Sequence, residues 1–187
     1  PLDISAGIVI QDVAIVNTRD GTIAQGMAII VDGGKIQKIS PAQFVRASGT
    51  AQTIDAAGKY VVPGFLDMHT HATATLDHMP SDFPVLLANG VTGVREMSGS
   101  PALIQRARQH NADVAAGRAD GPEILMMPSD IFTGQQAGSP EAAIQFVNQK
   151  KADGADFIKV TGGSRDLFLA VLAEAKNQGM QAAGHLV

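Results

Sequence analysis

The chain has 187 residues, enough for one large domain or two small ones. Its hydrophobic fraction of 45%, charged fraction of 17% and net charge of −4 match a soluble globular protein and exclude a disordered segment, which lacks the apolar surface to offset chain entropy. The absence of a long Lys/Arg run argues against nucleic acid or an anionic membrane as the main partner, and no apolar run nears the roughly 20 residues a bilayer span requires.

Residues 8 to 60 read as β-structure. Gly7–Val16 is rich in β-branched residues and closes at the Asp20-Gly21 turn. Ala28–Val31 and Lys35–Ile39 flank Asp32-Gly33-Gly34, a hairpin signature that needs positive φ at its tip. Gln52–Asp55 is a further short strand leading to Gly58. Together these predict a small antiparallel β-sandwich segment over residues 1–62.

After Pro63-Gly64 strands and helices alternate. Phe65–His69 reads as a strand, Ser81–Asn89 as a helix stopped by Gly90, and Val91–Met97 as a strand. Pro101–Ala116 is a helix with proline in its first turn. Glu123–Pro128 is strand-like, a loop spans Phe132–Gly138, and a helix from Pro140 to Ala152 follows Ser139 as N-cap. Asp156–Thr161 is a strand, Ser164–Gln178 a helix ending at Gly179, and Met180–His185 a strand. This alternation predicts an α/β fold with a parallel sheet, wound as a barrel or doubly wound. No glycine-rich dinucleotide fingerprint follows a strand, so the barrel reading is preferred. A closed (β/α)₈ barrel needs eight units and about 250 residues. Residues 63–187 therefore read as a partial TIM barrel of about five strands, truncated relative to a complete enzyme.

The chemistry-bearing residues fall at strand ends. His69 and His71 are two apart, so on a strand they share a face, at the carboxyl end where barrel enzymes build their sites. Taken alone, such a pair is also found by accident on edge strands. Asp67 shares their parity and could orient a ligand. Lys159 lies inside an apolar strand, where a buried ammonium must be paired, neutralised or modified. A lysine snorkelling out at the strand end is the structural alternative; the functional one is a neutral amine that takes up carbon dioxide and bridges two metals. His185 ends the next strand, and Gly184 before it permits close backbone approach or simply a bend. With no cysteine in the chain, a metal must be held by histidine, carboxylate or modified lysine.

Arg95 suits an anionic substrate group as a bidentate fork, or a structural ion pair with Glu96 or a neighbour. His78 reads as a loop histidine, His110 as a surface residue on a helix, and Met126 and Met127 as packing.

The run from Val61 to His71, Val-Val-Pro-Gly-Phe-Leu-Asp-Met-His-Thr-His, resembles the signature segment of the amidohydrolase superfamily. Asp32–Ile36 and Ile54–Lys59 resemble its N-terminal sandwich segment. Asp156–Val160 resembles its carboxylated-lysine strand, Ala183–His185 its next histidine strand, and Gly90–Met97 the second strand of the imidazolonepropionase-like and Xaa-Pro dipeptidase-like branch. The resemblance implies a metal-dependent hydrolase acting on carbon–nitrogen bonds (amide, cyclic amide or dipeptide). It implies two Zn²⁺ ions, with His69 and His71 on one, carboxylated Lys159 bridging, and His185 on the second. The family's sixth-strand histidine and eighth-strand aspartate do not fall within these residues. Phe132-Thr133-Gly134-Gln135-Gln136 stands where dipeptidase-like relatives often carry a Gly-Gly-His run, which leaves peptide-carboxylate recognition open.

The expected partner is a small-molecule or short-peptide substrate, with no nucleic acid and no membrane. The open sheet edge of a five-strand barrel invites association, as a homo-oligomer or with a complementing chain. The compartment stays open between cytoplasm and, for a chain whose leader has been removed, periplasm or exterior. Two alternatives stand beside the active hydrolase: a catalytically incomplete fragment, and a mononuclear deaminase-like member in which Lys159 has no metal role.

Overall fold

The computed structural model describes residues 1–75 and 82–185. They fall in two compact units, Pro1–Pro63 and Gly64–Val187. His78 and the expected helix start at Ser81 lie outside the described residues.

The first unit contains β1 (Leu2–Ile4), β2 (Ile8–Val16), β3 (Ile23–Asp32), β4 (Lys35–Pro41), β5 (Val45–Ala47), β6 (Gln52–Asp55) and β7 (Tyr60–Val61). Gly33 and Gly34 take φ of 56° and 72° at the β3–β4 hairpin, the doubly positive conformation of a two-residue turn. The antiparallel expectation holds for β2, β3 and β4. The shorter strands depart from it: β6 and β7 join β2 in parallel, and β1 pairs β5 in parallel. A short 3₁₀ turn, Ala42–Phe44, and β5 carry the chain from β4 back to the free edge of β2, so β6 arrives running in the same direction as β2. Alternation along β3 divides the apolar residues: Ala28 and Ile30 pack with Val9, Ala42 and Val45, whereas Ile29 packs with Val13 and Ala56 on the other face.

The second unit runs β8 (Phe65–Thr70), α1 (Asp82–Ala88), β9 (Val91–Glu96), α2 (Pro101–Ala115), β10 (Glu123–Met126), α3 (Pro140–Ala152), β11 (Phe157–Val160), α4 (Arg165–Asn177) and β12 (Gln181–Gly184). Serines cap three of the helices. The hydroxyls of Ser100, Ser139 and Ser164 accept from the N–H groups of Leu103, Ala142 and Leu167, and Pro101 and Pro140 occupy first turns, where a missing N–H costs nothing.

Strands β8, β9 and β10 form one parallel sheet and β11 and β12 another. The segment after β10 links them: Asp156 N–H donates to the Met127 carbonyl at 2.9 Å, and Phe132 bridges β11 through bonds of 2.8 Å to Lys159 O and from Thr161 N. Neighbours in space therefore follow chain order from β8 to β12. A doubly wound sheet reverses direction at a switch point; this one does not, which is the winding of a barrel. Val94, Ile124, Ile158 and Val160 bury their side chains against Ile104, Val147 and Val171 of the helices. No helix among the described residues is long and apolar enough to cross a membrane.

Candidate functional site

The carboxyl end of β8 carries the first two residues of interest. A side chain on Gly64 would collide with Thr92, so the glycine of the Pro-Gly pair lets β8 lie close against β9. The pairing of β8 with β9 is irregular between Asp67 and Thr70, so simple parity does not assign faces there. Asp67 Oδ1 accepts the His69 N–H at 3.0 Å within this irregular stretch of the strand. Beyond it the His69 and His71 rings lie 5.7 Å apart between centroids, tilted by 56°. Both line one surface cleft with Asp67, and with Asp82, Val85 and Leu86 of α1.

Behind His71 sits Glu96, the last residue of β9, fully buried. Its Oε2 accepts from Thr73 N–H at 2.7 Å, and its Oε1 from Met97 N–H at 2.9 Å and Ser98 N–H at 3.3 Å. These bonds offset the cost of taking a carboxylate out of water. His71 Nδ1 lies 3.1 Å from Ser98 Oγ and 3.7 Å from Glu96 Oε1. Neither Glu96 nor Ser98 was among the expected site residues. The signal for both is a polar residue at or just past the carboxyl end of a barrel strand.

Lys159 is buried in β11, at 2% exposure, so the snorkelling alternative is excluded. Burial lowers its pKa from the ordinary lysine value, and the positive charge of Arg95 pushes the same way. Among the described residues no carboxylate lies within ion-pair distance of its Nζ. Lys150 shows what pairing does to a comparable lysine. Burial would lower its pKa too, but hydrogen bonds to Asp130 at 2.5 Å and Asp153 at 2.7 Å outweigh it and the pKa rises. Arg95 does not pair with Glu96. Its Nε donates to the Met68 carbonyl at 2.7 Å, and its guanidinium lies 5.8 Å from the Phe157 ring centre.

His185 follows β12, its N–H donating to the Val160 carbonyl at 2.9 Å. Gly184 has φ of +150°, and any Cβ there would strike the same carbonyl, so close backbone approach is its role. The exposed His185 lines a second cleft, with Val160, Phe168 and Leu172. The structure thus brings His69 and His71 together and leaves Lys159 buried and His185 in a separate cleft. No group of three or more His, Asp or Glu side chains that could hold a metal ion is found among the described residues. As donors, the paired imidazoles fit two positions around a divalent cation, and an unpaired buried amine fits carboxylation. They do not complete a coordination sphere.

Two other expectations change or gain detail. His110 is half-buried rather than on the surface: its Nε2 lies 3.1 Å from the Pro122 carbonyl and its ring packs on Phe83 at 4.7 Å. In the loop after β10, the exposed Gln136 folds back onto its own segment, accepting from Thr133 N–H and Oγ1 and donating to Ile131 O.

Comparison with known proteins places this geometry. The sequence pattern of the Amidohydrolase family matches residues 52–94, which include the His69–His71 pair. An adenine deaminase of Listeria innocua serovar 6a is 31% identical over 193 aligned positions, which cover 96% of this chain and 32% of the relative. A prolidase-like protein of Bifidobacterium longum superposes with a TM-score of 0.76 at 25% identity, over 95% of this chain and 49% of that one. Molinate hydrolase shares the fold, with a TM-score of 0.77 at 15% identity over 97% of this chain and 54% of the other. The chain spans about a third of the length of the curated relatives it matches.

Proposed function

The chain carries the signature segment and the partial barrel fold of the amidohydrolase superfamily, and we propose that it supplies the first metal-holding part of a hydrolase cleaving carbon–nitrogen bonds in small molecules or short peptides. The observation that carries this reading is the pairing of His69 and His71 in one cleft at the carboxyl end of the first barrel strand. His69 and His71 would hold one divalent ion, Lys159 as its carbamate would bridge to a second, and His185 would serve that second ion. Imidazole and carbamate donors favour zinc. When bound, such ions supply an activated water and a polarised scissile carbonyl.

The chain's own residues contribute position and charge. Asp67 fixes the backbone at His69. Burial keeps the Lys159 amine ready to lose its proton, as reaction with carbon dioxide requires. Arg95, anchored on the Met68 carbonyl, places a fixed positive charge beside Lys159, suited to an anion formed there.

Zinc uptake by the full chain, read by competition with a chromophoric chelator, tests the assignment. Wild type is expected to bind zinc, the His69→Ala/His71→Ala double variant to lose it, and Lys159→Ala to bind fewer ions per chain. A Lys159→Ala protein with unchanged stoichiometry removes the bridging carbamate. That outcome favours the mononuclear deaminase-like reading, to which the adenine deaminases among the relatives lend weight. The reading as an incomplete fragment is favoured by the spread of His71, Lys159 and His185 over separate environments. It predicts weak metal uptake or none, and no turnover of N-acyl or dipeptide substrates.

A further inference from the structure

Glu96 is a buried acid that the proposed chemistry does not use. Three backbone N–H groups, from Thr73, Met97 and Ser98, pin its two oxygens. Pinned in this way, Oε1 faces two groups just past strand carboxyl ends, Ser98 after its own strand β9 and His71 after the neighbouring β8. The Ser98 hydroxyl lies 3.5 Å away, at the long limit of a hydrogen bond, and His71 Nδ1 lies 3.7 Å away, beyond one. Ser98 Oγ and His71 Nδ1 are themselves 3.1 Å apart.

The direction of this chain of contacts follows from its buried end. A carboxylate only accepts, and the Glu96 charge 3.7 Å from Nδ1 favours an N–H over a lone pair there, which turns the serine proton toward Oε1. The serine oxygen then has only lone pairs to offer His71, and the imidazole must answer as a donor from Nδ1. A neutral imidazole carries one N–H, so its Nε2 is left with a bare lone pair. We propose that Glu96 and Ser98 are positioning residues that hold His71 in its Nδ1–H tautomer and aim an unprotonated Nε2 outward for a metal ion. The ligand role of His71 in this statement rests on the function proposed above; the tautomer does not.

His69 is the internal control. No hydrogen bond holds its ring among the described residues. A purely structural role for Glu96, stapling the turn at Thr73 to β9, makes a different prediction. Ser98→Ala leaves the bonds to the Thr73 and Met97 N–H groups in place, so a staple would be untouched.

The experiment uses the full chain, ¹⁵N-labelled and metal-free, at a pH of about 8.5, where an ordinary imidazole is neutral. Two-bond ¹H–¹⁵N correlations report which ring nitrogen of each histidine carries the proton. The expected result is an Nδ1–H His71 in the wild type, a shift toward Nε2–H in Ser98→Ala with His69 unchanged, and recovery in Ser98→Thr, which restores the hydroxyl. Zinc affinity of Ser98→Ala is expected to fall about 10-fold, the lower end of what loss of such a partner costs a metal site. A wild-type His71 protonated at Nε2 overturns the proposal without recourse to any variant, and so does a Ser98→Ala spectrum identical to wild type. If the wild type holds the Nδ1–H form and takes up no zinc, the ligand reading fails and the positioning relay stands. If zinc binds to a protein whose metal-free His71 is Nε2–H, the reverse holds.

Discussion

Strands β8 and β11 both carry residues of the proposed site, and their sequences, Phe-Leu-Asp-Met-His-Thr and Phe-Ile-Lys-Val, are of similar apolar character. Their surroundings are opposite. Phe65, Leu66 and Met68 of β8 are 61%, 57% and 40% exposed, whereas no residue of β11 exceeds 2%. Among the described residues β8 pairs only with β9 and ends its sheet. β11 has β12 on one side, the Phe132 bridge on the other, and shares the helix-facing core through Ile158 and Val160. Burial is therefore a property of neighbours. Its consequence is chemical: the β8 histidines keep contact with solvent, while the β11 lysine loses hydration and with it part of its hold on a proton.

Removing core volume tests that contrast most severely. Ile158→Ala is expected to cost about 3 kcal/mol, because a helix-facing cavity cannot fully collapse. Leu66→Ala on the exposed strand should stay within about 1 kcal/mol. Denaturant unfolding of both variants decides, and equal losses would break the comparison.

The approach to β11 is held by Lys150 with Asp130 and Asp153, where Asp153 also accepts from Ser129 at 3.1 Å. Lys150→Ala should cost about 2 kcal/mol, below the value for a fully buried pair because Asp130 is half exposed. The Lys150 hydrogen bond, despite burial, holds Asp153 below the ordinary aspartate value of 3.8. The stability it contributes is present in full above pH 3.8 and is lost as pH falls through the lower folded value. Acid titration of stability should therefore flatten in Lys150→Ala.

Lys159→Met carries the smallest change and the opposite sign. Replacing an unpaired buried amine with an apolar chain of similar length should stabilise the metal-free, carbonate-free protein by about 1 kcal/mol near neutral pH. Lys159 holds its proton less firmly folded than unfolded, so wild-type stability rises with pH from the depressed folded value up to 10.5. The advantage of the methionine should shrink across that window. Thermal melts over an alkaline series check it, with fewer zinc ions bound per chain in parallel.

Much of the architecture is legible in local pattern. The helix over Pro140–Ala152 has the expected ends, and each barrel strand and described helix closes within two residues of its expected bounds. The parallel pairing of β6 and β7 with β2 was not legible. Strand direction in a sheet is chosen by where the connecting chain returns, and apolar alternation looks the same in both directions. His110 was misread for a related reason: its polar neighbours Gln109 and Asn111 mark a helix face as wet, yet Phe83 covers the ring from another segment.

The sequence by itself determined the element types, the alternation that builds a barrel, and the His69–His71 pair, because propensity, turn chemistry and spacing act over a few residues. Tertiary structure alone decided which polar groups lost water and what replaced it. Among the described residues Lys159 has no acid paired with it, whereas Lys150 has two. Glu96, unremarkable in its strand, meets the Thr73 N–H, 23 residues earlier in the chain. Desolvation and hydrogen bonding depend on atoms far apart in the chain, and only the folded arrangement brings those atoms within reach.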